Sequence, residues 1–146
     1  GKIPKSRSWE SWDDWVNVEC DFSANGYRLP RHIEWEYAAR GGNGLEGYQF
    51  QYAGSDNLDE VAVWNTDVVA EIKTKKPNGL GIYDLNGNLD EWTFQKYGYY
   101  ILYAGGYYFI KQPEAFALSW PYAGCVAISL TVRNSQLGLR VVCTAD

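Results

Sequence analysis

Histidine is nearly missing from this 146-residue chain, with His32 its one example, and cysteine occurs three times, at Cys20, Cys125 and Cys143. A lone histidine argues against a His-rich metal centre and against Ser/His/Asp catalysis. The three cysteines lie far apart, make no CxxC pair, and by their odd number cannot close a complete internal disulfide framework, so the fold must rest on its core. Positive charge is also short. Lys and Arg total 13 against 18 Asp and Glu, a formal net charge of -5, and both nucleic acid and an anionic membrane select a basic face. No basic-plus-apolar signal segment is present, and the start at Gly1-Lys2-Ile3 reads as a cut edge. The longest uncharged run, Ala115 to Val132, is interrupted by Pro121 and Gly124 and diluted by Ser119 and Ser129. Its β-branched content reads as strand, so no membrane span is expected.

What is abundant is aromatic: 7 Trp, 12 Tyr and 5 Phe, beside 15 Gly. So much aromatic surface excludes disorder, and the length fits one domain, residues 1–146, rather than two. Charge is unevenly spread. Residues 1–92 hold 25 of the 31 charged side chains, whereas residues 93–132 hold only Lys96, Lys111 and Glu114. Between Trp92 and Tyr122, 12 of 31 positions are aromatic. No linker separates these halves.

Ser8 can cap a helix over about residues 8–18 that buries Trp9, Trp12 and Val16. A second helix is expected from Arg31 to Arg40, launched by Pro30 and stopped by Gly41-Gly42. Its His32 should be exposed and uninvolved in chemistry, and Ile33 and Trp35 should join the core. Arg28 and Arg40 should pair with carboxylates such as Glu34 and Glu36. Residues 42–76 carry turn formers and weak periodicity, and so read mostly as loop. Short β segments follow at Tyr99–Tyr103, Gly106–Ile110, Ala115–Trp120, Val126–Val132 and Leu137–Cys143. The expected class is α+β: two helices, a small antiparallel sheet and extensive irregular loops.

Four ordered motifs carry a resemblance. Gly26-Tyr27-Arg28-Leu29-Pro30 followed by Glu34-Trp35-Glu36-Tyr37-Ala38-Ala39-Arg40-Gly41-Gly42 resembles a signature of the formylglycine-generating-enzyme (sulfatase-modifying factor) superfamily. Pro77 to Asp84, Gly87 to Trp92 and Leu137 to Val142 resemble its next three motifs in the same order. The resemblance implies a C-type-lectin-like fold whose opening strand and first loops are not represented here. It also implies a structural calcium ion held by Asp84 and Glu91 with the carbonyls of Gly87 and Leu89, in a shell of about six to eight oxygens. No other cofactor is expected.

The departures from this family are chemical. Its formylglycine-making members resemble one another in a cysteine pair soon after an Arg-Gly-Gly-Ser segment. Here Ala104-Gly105-Gly106-Tyr107 is followed by Tyr108-Phe109-Ile110-Lys111, with no cysteine before Cys125. Copper binding and oxygen activation need a thiolate pair, so no catalytic residue is expected. Asp90 also stands where the family has Trp.

The aromatic stretch over residues 99–135 resembles the variable region of proteins diversified by a retroelement at the C-terminal end of this fold. That resemblance implies a non-catalytic display protein, a lipoprotein on the extracellular face of a bacterial cell, recognising an unidentified protein or surface ligand. Strand alternation places Tyr108 and Ile110 inside and Tyr107 and Phe109 outside. With Tyr103, Phe116, Trp120, Tyr122, Val126, Ile128 and Leu130 they should form one contiguous ligand-binding surface, since Tyr and Trp offer large contact area at low rotamer cost. The alternatives are a formylglycine-generating oxidoreductase and a calcium-dependent sugar-binding lectin.

Overall fold

In the computed structural model, residues 19–42, 50–98, 100–118, 126–129, 132 and 134–143 are described. The expected helix over residues 8–18 lies outside them. The second helix is present as α1, His32–Ala39. Glu34 folds back so that its Oε2 accepts the Arg31 backbone N–H at 2.7 Å, which satisfies one orphan donor of the first turn. The stop is equally local. Gly41 and Gly42 both take positive φ, and Gly42 N–H donates to the Tyr37 carbonyl at 2.9 Å, closing the last turn.

The face that α1 buries differs from expectation. His32, Trp35 and Ala39 point inward, while Ile33 and Tyr37 are exposed. Trp35 sets this face because its indole Nε1 donates to the buried Glu91 Oε2 at 2.7 Å. His32 follows at the i−3 position of the same stripe, with its Nδ1 3.9 Å from Glu36 Oε2. The expected arginine pairs are present: Arg28 grips both Glu34 oxygens at 2.6 and 2.8 Å, and Arg40 pairs with Glu36.

The remaining elements are short. They are β1 (Tyr27–Arg28), α2 (Leu58–Val61), β2 (Ala62–Val63), β3 (Asn86–Gly87), β4 (Asp90–Tyr97), β5 (Tyr100–Ala104), a 3-10 turn (Pro113–Phe116), β6 (Val126–Ser129), β7 (Leu137–Gly138) and β8 (Val142–Cys143). The main sheet runs β6-β5-β4-β7, and two-strand sheets join β1 to β8 and β2 to β3. The β6-β5-β4 pairings are antiparallel, but β7 joins β4 in parallel, as β3 joins β2, so the sheet system is mixed rather than purely antiparallel.

Two expected strands are absent among the described residues. Residues 106–110 form a turn, because Gly105 and Gly106 both take positive φ and rotate the chain out of the ladder. Within the expected strand 115–120, residues 115 and 116 belong instead to the 3-10 turn opened by Pro113, which supplies no N–H to a ladder. The segment 137–143 is divided between two sheets. One core cluster packs Trp35, Ala39, Ala53, Leu85, Ala104 and Leu118 between α1 and β5; a second packs Tyr52, Leu58, Val61, Ala62, Phe116 and Ala117 around α2.

Candidate functional site

The sheet has two unlike faces. Ala104 is fully buried against the α1 cluster, and alternation puts Leu102 on the same side and Ile101 and Tyr103 on the other. Register pairs Tyr103 with Val126, Ile101 with Ile128, and Trp92 with Tyr103. The strand positions expected to carry recognition therefore meet across β5 and β6, on the face away from α1. That face is partly covered: Ile101 is buried, and Trp92, Tyr103 and Ile128 are half-buried.

Beyond β5 the chain enters the aromatic turn. Tyr107 and Tyr108 are both half-buried and stack edge-on with centroids 6.1 Å apart. Phe109 projects at 45% exposure, with Lys111 Nζ 5.2 Å from its ring. The inside–outside alternation expected for residues 107–110 thus fails with the strand it assumed. The backbone beneath these rings is fixed by its neighbours. Tyr108 N–H donates to the Asn88 carbonyl, Thr66 N–H to the Tyr108 carbonyl and Asn65 N–H to the Ile110 carbonyl, each at 3.0 Å. Asn88 is the hub: its side chain also receives Ala70 N–H at 3.0 Å and donates to Ala70 O at 3.2 Å.

Phe116 does not belong to this surface. It is 1% exposed, lies edge-on to Trp64 at 6.3 Å, and closes the α2 cluster. A Cβ on Gly106 would come within 2.5 Å of its ring, so Phe116 anchors the turn from below. Trp120, Tyr122 and Leu130 lie outside the described residues, as does the Val126 side chain.

The two carboxylates expected to hold calcium, those of Asp84 and Glu91, are engaged by other partners. Glu91 is committed, accepting Trp35 Nε1 and Arg140 Nε at Oε2 (2.7 and 2.8 Å) and Arg140 Nη2 at Oε1 (2.6 Å). Arg140 Nη2 further donates to the carbonyls of Tyr83 and Asp84. Asp84 turns its Oδ2 to Lys73 N–H at 2.8 Å. Gly87 sits in the β2–β3 pairing, its N–H on Gly105 O. Arg140 neutralises the Glu91 carboxylate, which leaves little anionic oxygen for a divalent cation that needs a rich oxygen shell. Leu89 adds no charge to this balance. No cluster of three His, Cys, Asp or Glu suited to a metal occurs among the described residues. Cys20 is a free thiol, and Cys143 lies in β8 as expected.

Asp90 is the residue whose consequence composition did not reveal. It is 4% exposed. Burial pushes its carboxyl up to about 7; the Gly106 N–H opposes this, and the neighbouring Glu91 charge adds to it. A buried carboxyl, bonded by the Gly106 N–H, thus lies at the base of the aromatic turn.

Fold and site together define a C-type-lectin-like domain of the formylglycine-generating type that carries an aromatic turn after its double glycine. The profile of the Sulfatase-modifying factor enzyme 1-like domain matches residues 6–145, and the chain belongs to that family. Among curated relatives it is 39% identical to the chaperone protein LppX of Paenibacillus barcinonensis, over 53% of this chain and 34% of that protein. It is 36% identical to the formylglycine-generating enzyme of Streptomyces coelicolor over 46% of this chain and 26% of the enzyme. The inactive C-alpha-formylglycine-generating enzyme 2 of Bos taurus is 32% identical over 60% of this chain and 31% of its own length. The chain therefore spans about a third or less of these relatives. Among solved structures, Treponema denticola variable protein 1 superposes with a TM-score of 0.77 at 28% identity, covering 94% of this chain and 56% of that one. The family thus includes active and inactive members, and the fold is shared with a variable protein.

Proposed function

We propose that the chain is a non-catalytic recognition module that presents a variable, aromatic-rich surface on a rigid C-type-lectin-like scaffold at a bacterial cell surface. The observation that carries this is the turn after Gly105-Gly106. Where catalysis would require a thiol pair, the chain places Tyr107, Tyr108 and Phe109, on a backbone hydrogen-bonded to Asn65, Thr66 and Asn88. Those three supports lie outside residues 99–135, so side chains on the turn can change without removing what holds it. Tyr103 and Ile128 extend the surface along β5 and β6. Aromatic rings on a preordered backbone bind without a large ordering cost.

The reading is tested by sequencing the locus in independent isolates and by assay. Substitutions should concentrate within residues 99–135, beside a near-identical template repeat and a reverse-transcriptase gene. The protein should not convert cysteine to formylglycine in a peptide supplied with copper and oxygen. Variation spread evenly along the gene, or turnover of that peptide, would overturn it.

A further inference from the structure

Beside Asn88 the surface opens into a groove of about 260 Å³. Ile72 and Leu139, 74% and 65% exposed, give it aliphatic lining. Lys73 Nζ stands 5.5 Å from the Tyr83 ring centroid and has no carboxylate partner among the described residues. Asp84 accepts Lys73 N–H at Oδ2, which leaves Oδ1 without a donor among the described residues. Arg140 spends Nε and Nη2 on Glu91 and the carbonyls of Tyr83 and Asp84; its Nη1 meets no acceptor among those residues. The groove therefore combines uncommitted cationic donors, one uncommitted carboxylate oxygen and exposed aliphatic surface.

We propose that this groove binds a small zwitterion with an aliphatic body, of the free α-amino-acid class. Arg140 Nη1 and the Lys73 ammonium receive its carboxylate, Asp84 Oδ1 its ammonium, and Ile72 and Leu139 its side chain. Size favours this class, because the volume falls below the roughly 300–1,000 Å³ of pockets for drug-sized ligands. Charge favours it too. Lys73 and Arg140 balance Asp84 and Glu91, so a simple anion or cation meets a like charge, whereas a zwitterion matches both signs. The groove shares no side chain with the aromatic surface, so either assignment can fail without the other.

Titration of 15N-labelled protein with L-leucine, N-acetyl-leucine, leucinamide and calcium chloride, followed by NMR, tests the proposal. Leucine should give saturable shifts at the amides of Lys73, Asp84 and Leu139, with both blocked forms about tenfold weaker, as expected for loss of one charged hydrogen-bonding group. Lys73→Asn and Asp84→Asn retain a residue suited to the positive φ of these positions, and each should weaken leucine about tenfold. Leu139→Ser, on exposed surface, should weaken leucine with an unchanged spectrum elsewhere. The absence of saturable shifts with millimolar leucine, equal binding of the blocked forms, or calcium chloride alone moving the same amides would overturn the assignment.

Discussion

Asp90 shows how one side chain couples this fold to pH. Its carboxyl titrates near 7 when folded and at an ordinary value near 3.8 when unfolded, so the folded chain holds the proton more tightly. Below the unfolded value both states are protonated and no penalty arises. As pH rises toward 7 the unfolded state ionises first, stability falls, and the loss is complete above the folded pKa. Asp90→Asn should remove this slope and be more stable than the parent at pH 8 by up to about 4 kcal/mol, at roughly 1.4 kcal/mol per pKa unit. Urea unfolding at pH 5 and pH 8 measures it; an unchanged slope would refute the assignment. Phe109 and Phe116 make the second comparison at this scale. Phe116→Ala should cost about 3–5 kcal/mol, the usual result for a buried ring. Phe109→Ala should change stability by less than about 1 kcal/mol. Denaturation midpoints of the two variants separate core from surface.

Among the elements, the β5-to-turn junction is tightly constrained. Gly106 has φ +72, and a Cβ there would meet Phe116 at 2.5 Å, whereas Gly98 has φ +58 with nothing within 4 Å. Gly98→Ala should therefore cost only the left-handed strain, about 1–2 kcal/mol. Gly106→Ala should cost about 1–3 kcal/mol beyond that from overpacking and should disturb near-UV aromatic circular dichroism. Similar midpoints for the two would show that the turn yields easily. Helix α1 illustrates what local sequence can and cannot specify. Its start, its stop and its ion pairs with Arg28 and Arg40 follow from residues within six positions, and these were legible. Its buried face was not, because an indole hydrogen bond to Glu91, 56 residues away, chooses it.

For the molecule as a whole, Glu91 joins α1 to β4 and the C-terminal segment through Trp35 and Arg140. Arg140→Met should leave that carboxylate buried beside Trp35 without its cation and cost about 3–5 kcal/mol, read as a shift of the urea midpoint. A near-neutral result would mean that solvent readily replaces the guanidinium.

The sequence by itself determined the family, the α+β class, the boundaries of α1, the arginine–carboxylate pairs and the missing thiol pair. Each is written in contiguous motifs or in residues close along the chain. Tertiary structure decided which aromatics are surface and which are core, since Phe109 is exposed whereas Phe116 is covered by the α2 cluster. It also decided that Glu91 serves Arg140 and Trp35, and that Lys73, Asp84 and Arg140 share one groove. Those outcomes depend on contacts between distant segments, where burial and competing hydrogen-bond partners act together, and no local pattern encodes them.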